Sequence, residues 1–154
     1  MNFENMITNI ESKQAFDVLV SNKNAFLIDV RTQEEFDWVG NVCDNSFCNK
    51  QILLTWKNVA NLAQPSQFSN ILTEIIVKKS SSLFATQAET MQHLQLYFIC
   101  RSGGRSGLSA THLANLGWQQ CFNIVNGFEG DLNNQYQRGK LNGWKVNNLP
   151  WRQS

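Results

Sequence analysis

The chain has 154 residues, 42% hydrophobic and 16% charged, with 13 basic against 12 acidic side chains for a net charge of +1. Those numbers suit one globular domain over residues 1–154 that buries roughly 68–70% of its unfolded surface without needing disulfides. No block of five like charges marks a nucleic-acid arm or a membrane patch. The N-terminal MNFENMITNIESKQ lacks a basic stretch followed by an apolar one, and no apolar run approaches the ~20 residues that a bilayer requires. A cytoplasmic protein with no direct nucleic-acid or membrane partner is expected.

In chain order, the apolar pattern alternates between short runs and helical stretches, which is the signature of an α/β fold. A short edge strand is predicted near Met6 to Asn9. Ser12 to Ser21 follows as a helix with Ala15, Phe16, Leu19 and Val20 at helical spacing. AFLIDV, Ala25 to Val30, reads as a strand buried on both faces of a parallel sheet, with Asp29 near its carboxyl end. Thr32 and Glu35 have the spacing of a capping box that opens a short helix ending at Gly40. Residues 41–64 carry a weaker pattern in which Ile52 to Trp56 reads as a strand. Pro65 then opens a helix with Phe68, Leu72, Ile75 and Ile76 on one face. Leu94 to Cys100 is predicted as a second buried strand, Ser106 to Leu116 as a helix closed by Gly117, and Cys121 to Val125 as a further strand. Gly127 to Asn134 is predicted as a last short helix. The core would span about residues 5–136, with a tail, 137–154, packing back through Trp144 and Trp151.

Four cysteines, Cys43, Cys48, Cys100 and Cys121, stand at spacings of x4, x51 and x20. With no C-x2-C pair, and with neither His93 nor His112 completing a ligand motif, a structural metal site is not expected, nor is a disulfide framework. Cys121 reads as a small core residue within a strand. Cys43 and Cys48 are the candidates to resolve a sulfur adduct on another thiol.

Cys100 differs from the other three in what surrounds it. It falls at the carboxyl end of a strand, and the helix predicted from Ser106 begins six residues later, where open parallel sheets place their ligands. Between them Arg101, Ser102, Gly103, Gly104 and Arg105 supply successive backbone amides, and the two glycines let that backbone curl into a nest for negative charge. The helix dipole and the two guanidiniums add to the attraction. Such surroundings favour a thiolate. For any thiol, however, gained thiolate is largely offset by lost nucleophilicity, with a Brønsted slope of about 0.45. The greater value of the loop therefore lies in orienting an anionic substrate and stabilising the sulfur that leaves. G-x-x-x-x-G-K-[ST] is absent, so no nucleotide loop is expected, and His112 is taken as structural because an ionised thiol needs no general base.

Cys100-Arg101-Ser102-Gly103-Gly104-Arg105-Ser106 resembles the active-site loop of rhodaneses, and Leu27-Ile28-Asp29-Val30-Arg31-Thr32-Gln33-Glu34-Glu35-Phe36 resembles their upstream D-V-R-x-x-x-E-[FWY] signature. Asn126-Gly127-Phe128 and the closing Gly143-Trp144-Lys145 and Leu149-Pro150-Trp151 extend the likeness over nearly the whole chain. The resemblance implies a single rhodanese-like domain with a five-stranded parallel sheet flanked by helices on both faces. It also implies a thiosulfate sulfurtransferase in which Cys100 carries a persulfide. Arg101, Ser102, Gly103, Gly104, Arg105 and Ser106 would bind the donor, while Asp29, Arg31 and Glu35 would support the site, the last two as an ion pair. The implied partners are a small anionic donor such as thiosulfate and a thiol or sulfur-carrier acceptor, and no cofactor is required. Related phosphatases and arsenate reductases use C-x5-R, so the C-x4-R of Cys100 and Arg105 favours sulfur over phosphate. The rival readings are such a phosphatase or arsenate reductase, and a catalytically silent binding module. One departure from the family pattern is Gly40-Asn41-Val42, where G-H-I is common.

Overall fold

Alternation with period two in the most apolar segments decides the architecture. In the computed structural model, which describes residues 7–56 and 65–153, the chain begins with strand β1 (Ile7–Ile10), helix α1 (Ser12–Ser21) and strand β2 (Ala25–Asp29). Strand β3 (Asn41–Val42), strand β4 (Gln51–Leu53) and helix α2 (Pro65–Lys79) come next, and helix α3 (Gln87–His93) leads into strand β5 (Gln95–Ile99). Helix α4 (Gly104–Asn115), strand β6 (Cys121–Ile124) and strand β7 (Trp151–Arg152) complete the order. Every residue of β2 is buried, and so is all of β5 except Gln95. Phe26, Ile28, Leu96 and Phe98 pack with Phe68, Leu72 and Ile76 of α2 and with Ala110, Leu113 and Ala114 of α4. Their alternates, Ala25, Leu27, Tyr97 and Ile99, pack with Ala15 and Leu19 of α1 and with Trp144 and Leu149 beyond β6. Burial on both faces is what a parallel sheet with helical crossovers demands.

The sheet has five strands in the order β1-β6-β5-β2-β4, and every neighbouring pair is parallel. From β2 the chain moves outward to β4, then returns to β5 on the other side of β2 and continues to β6 and away. The direction therefore reverses between β2 and β5, and the crevice beyond the carboxyl ends of those two strands is where such sheets bind ligands. Asp29 and Cys100 both stand there. No helix among the described residues is long and apolar enough to cross a membrane.

Several expectations change in detail. Met6, at the start of the predicted edge strand, and residues 57–64 lie outside the described residues. The strand expected over Ile52 to Trp56 is only Gln51–Leu53, although the amides of Leu54 and Trp56 continue onto the carbonyls of Asp29 and Val30. The helix expected over Gly127 to Asn134 does not form. Asn126, Gly127 and Gly130 have φ of 67°, 59° and 82°, a left-handed backbone that cannot continue a right-handed helix. Helix α3 went unpredicted, yet its start was legible: Thr86 Oγ1 accepts the Glu89 amide at 3.1 Å, the first half of a capping box. Strand β7 also escaped prediction. It pairs antiparallel with β3, Val42 opposite Trp151, while Trp144 is fully buried and donates from Nε1 to Pro150 O at 2.9 Å.

One ion pair lies wholly inside this framework. Asp29 and Arg31 are both 0% exposed. The Asp29 carboxylate accepts from Arg31 Nε at 2.9 Å, from Arg31 Nη2 at 2.8 Å and from the Arg31 backbone amide at 3.1 Å. Arg31 Nη1 donates to Gly40 O at 2.9 Å, and the guanidinium lies over the Phe128 ring at 4.5 Å. Arg31 thus pairs with Asp29, not with Glu35 as expected, because the fork geometry of the guanidinium is saturated two residues away. Desolvating each ion costs several kcal/mol, so the pair survives only while both members are present. Arg31→Met should therefore lower unfolding stability by about 3–5 kcal/mol in urea titrations, and Asp29→Leu combined with it should recover part of the loss. A single-variant loss below ~1 kcal/mol would contradict the coupling.

Candidate active site

The site is built where β5 gives way to α4. Cys100 continues the alternation of Leu96 and Phe98 toward the α2 and α4 side of the sheet, and it is only 1% exposed. After it the chain turns through Arg101, Ser102 and Gly103. Gly103 has φ of 109°, a backbone that glycine alone adopts readily, and α4 starts at the next residue. The helix therefore begins two residues before the predicted Ser106. Only one of the two loop glycines is needed for conformation: a Cβ at Gly104 would meet nothing within 4 Å and its φ is not positive.

The loop is held from behind by the turn after β6. The Phe128 amide donates to Cys100 O at 2.8 Å, and the amides of Glu129 and Gly130 donate to Arg101 O at 2.9 and 3.2 Å. Because the peptide unit is planar and trans, pulling the Cys100 and Arg101 carbonyls toward the turn points the Arg101 and Ser102 N–H groups the opposite way. Gly127 makes this approach possible, since a Cβ there would stand 2.4 Å from Cys100 O. The sequence Asn126-Gly127-Phe128 is thus a clamp on the loop. No side chain among the described residues caps α4 at Gly103, so the first-turn amides of Gly104, Arg105 and Ser106, which lack intrahelical acceptors, remain at the loop.

Among the described residues, two polar groups lie within hydrogen-bond distance of the Cys100 sulfur. The Gly103 amide donates to Sγ at 3.1 Å, and Ser106 Oγ lies 3.2 Å from it. Ser106 Oγ also donates to Asn123 Oδ1 at 2.6 Å. Asn123 and its neighbour Asn9 fall in predicted strands but carried no expected role in the site. The available signal was a single amide side chain within the otherwise apolar strand CFNIV.

The two loop arginines differ. Arg105 is bound by Glu35, with Nη1 to Oε1 at 2.6 Å and Nη2 to Oε2 at 2.9 Å. Burial pulls the Glu35 carboxyl upward, but the bonds and charge of Arg105, together with the Thr32 amide and the charge of Arg31, outweigh it and hold the group below its ordinary value. Arg105 is correspondingly raised, chiefly by its bond to Glu35 against the opposing effect of burial, with a lesser contribution from Cys100. Glu35 reaches Arg105 from the capping box that the sequence predicted: Thr32 Oγ1 accepts the Glu35 amide at 3.1 Å, and Glu35 Oε1 accepts the Thr32 amide at 3.3 Å. The segment it opens, Glu35–Val39, is wound as one π-helical turn. Arg101 extends into solvent and Ser102 is half-buried.

The remaining candidates lie outside this cluster. Cys121 is buried, which pushes its thiol up to about 12. Cys43 and Cys48 line a cleft of about 220 Å³ together with Phe36, Asn41, Gln51 and Arg152, and Cys100 is not among its lining residues. His112 Nε2 lies 2.9 Å from Pro65 O and 3.2 Å from Ser69 Oγ, tying α4 to α2. Asn41, the departure from the family pattern, is buried and donates from Nδ2 to Phe36 O at 3.3 Å, closing the π-helical turn. Among the described residues, no three His, Cys, Asp or Glu side chains gather as a metal site.

Comparison with known proteins bears on the family and the fold. The chain is 40% identical over 146 residues to an uncharacterized protein RP600 homolog of Rickettsia rickettsii, spanning 94% of this chain and 97% of that one. It is 41% identical over 147 residues to uncharacterized protein RP600 of Rickettsia prowazekii, spanning 95% and 98%. Among solved structures, Rv0390 from M. tuberculosis superposes with a TM-score of 0.69 at 28% identity, over 96% of this chain and 98% of that one. A polysulfide-sulfur transferase homodimer from Wolinella succinogenes shares the fold, with a TM-score of 0.58 at 14% identity over 99% and 82%. The model of the rhodanese-like domain matches residues 12–134, from the first residue of α1 to beyond the clamp on the Cys100 loop, and the chain belongs to that family.

Proposed function

We propose that the protein is a sulfurtransferase that moves sulfane sulfur from thiosulfate, or a related small anionic donor, to a thiophilic acceptor through a persulfide on Cys100. The observation that carries this reading is the sulfur itself, held at the amino end of α4 by one backbone amide and one hydroxyl. In the first half-reaction the Cys100 thiolate attacks the outer sulfur of thiosulfate. The donor S–S bond breaks, its electron pair leaves with sulfite, and a new S–S bond joins Cys100 to the transferred atom. In the second, an acceptor such as cyanide or a thiol attacks that outer atom, and the electron pair of the broken bond returns to Cys100.

The loop serves both halves by supplying donors where negative charge resides, at the outer sulfur and on the departing group. Gly103, Ser106 and the first-turn amides of α4 do this without any metal or organic cofactor. Arg101, exposed and without an ion-pair partner among the described residues, is the guanidinium for the sulfonate, while Arg105, already bound by Glu35, contributes mainly by fixing the helix start. The C-x4-R spacing favours a cradle for sulfur over one for tetrahedral phosphate. A sulfur-carrier protein or a small thiol fits as acceptor, and the reducing cytoplasm would keep Cys100 as a thiol.

Mass spectrometry of the intact protein after incubation with thiosulfate tests the reading. Wild type should gain the mass of one sulfur atom, removable by cyanide, and Cys100→Ser should gain none; equal uptake by both would overturn it. The Glu35 and Arg105 pair has a separate signature in pH. Its carboxyl is held below the ordinary 4.5 in the folded protein, so the stability it contributes is complete above that value and is lost as pH falls through the lowered folded value. The stability advantage of wild type over Glu35→Gln should accordingly shrink in chemical-denaturation series run below pH 4.5. An advantage that stays constant down to the acid unfolding limit would contradict the assignment.

A further inference from the structure

The two groups that touch the Cys100 sulfur are both held by a third side chain. Asn123 lies in β6 with its backbone opposite Phe98 of β5 on one side and Asn9 of β1 on the other. Its Oδ1 accepts from Ser106 Oγ at 2.6 Å, and its Nδ2 donates to Gly103 O at 3.3 Å and to Asn9 Oδ1 at 3.2 Å. The orientation of this amide is determined: the Gly103 carbonyl can only accept, so nitrogen must face it, and oxygen is left for Ser106. Both N–H groups and the oxygen are engaged, which is what a polar side chain only 7% exposed requires.

Each contact reaches the sulfur by one more step. Gly103 presents its N–H to Sγ from one side of the residue while Asn123 and the Gly107 amide hold its carbonyl on the other. Ser106 has a single hydroxyl proton. While that proton is committed to Asn123, the oxygen faces sulfur as an acceptor for a thiol proton; when sulfur is anionic, the same proton can turn to it. Asn123 therefore governs whether the hydroxyl donates to the sulfur, and through the carbonyl on the far side of Gly103 it also braces the residue whose amide donates throughout. We infer that Asn123 is a positioning residue for Cys100, setting the two donors that the sulfur meets, with Asn9 as its outer brace. This inference rests on the sulfurtransferase reading for its consequence in turnover, though not for its consequence in thiol reactivity.

Two measurements on Asn123→Leu, Asn9→Ala and Ser106→Ala test it. The first is the rate at which Cys100 is alkylated by iodoacetamide, located by peptide mass spectrometry. The second is the saturation kinetics of sulfur transfer from thiosulfate. Asn123→Leu should change the alkylation rate by about threefold or more and lower kcat by about tenfold, the scale expected from disturbing a hydrogen bond to a charged sulfur, with KM within about twofold. Asn123→Leu should cost less in a Ser106→Ala background than alone, because part of its effect passes through that hydroxyl. A residue that merely stabilised the fold would lower the unfolding midpoint while leaving alkylation and kcat of the folded protein unchanged, and that result would overturn the inference. If Asn123→Leu does not fold, Asn9→Ala decides: a loss in kcat of about two- to threefold supports the brace, and none overturns it. If wild type takes up no sulfur, the sulfurtransferase reading falls by itself. The alkylation rates then still judge Asn123, an unchanged rate overturning its role.

Discussion

The Cys100 loop depends on where its carbonyls go. A peptide that follows a buried strand must satisfy its oxygen atoms somewhere, and here those of Cys100 and Arg101 are taken by the amides of Phe128, Glu129 and Gly130. That single attachment has three effects. It sends the neighbouring N–H groups away from the turn, it joins the end of β5 to the segment after β6, and it requires a residue without a side chain at Gly127, whose backbone stands against Cys100 O. Phe128, held by the same turn, then forms the aromatic floor over which Arg31 lies at 4.5 Å. The buried Asp29 and Arg31 pair and the clamp are therefore neighbours in one construction at the carboxyl edge of the sheet.

Charge around the sulfur is divided between positions of different function. Arg31 is consumed by Asp29 and by the Gly40 carbonyl, and Arg105 by Glu35. Arg105, which reads as a substrate ligand in the sequence, and Arg31, which reads as a support, are thus both neutralised within the protein. Fixed dipoles remain next to the sulfur, which need no reorganisation when charge moves, and Arg101 remains at the surface. Among the described residues, an anion approaching such a loop meets the exposed guanidinium of Arg101 and the backbone amides of the helix start.

How much of this was legible in the sequence follows from how local each interaction is. The helix Ser12–Ser21, the buried runs ending at Asp29 and at Cys100, and the capping box from Thr32 to Glu35 are short-range patterns, and they were readable because periodicity and spacing carry them. The partner of Arg31 was misjudged because Asp29 and Glu35 lie two and four residues away, and only the fold decides between them. The turn at Asn126 to Gly130 passed for a helix because its left-handed residues are needed by contacts to Cys100 and Arg101, far away in sequence. Strands β3 and β7 have two residues each, too few for any periodic signal, and they exist because the tail returns. Asn123 shows the same limit: an amide in an apolar strand is visible, but its value lies in joining Ser106, Gly103 and Asn9 from three separate segments.

The central claim is that sulfur resides covalently on the enzyme between donor and acceptor. Steady-state rates measured while thiosulfate and cyanide are varied together test it most directly, because a persulfide formed before the acceptor binds imposes a double-displacement rate law. The account predicts parallel lines in double-reciprocal plots, with sulfite released in the absence of acceptor in an amount equal to the enzyme. Lines that intersect, with no sulfite released until cyanide is added, would contradict it.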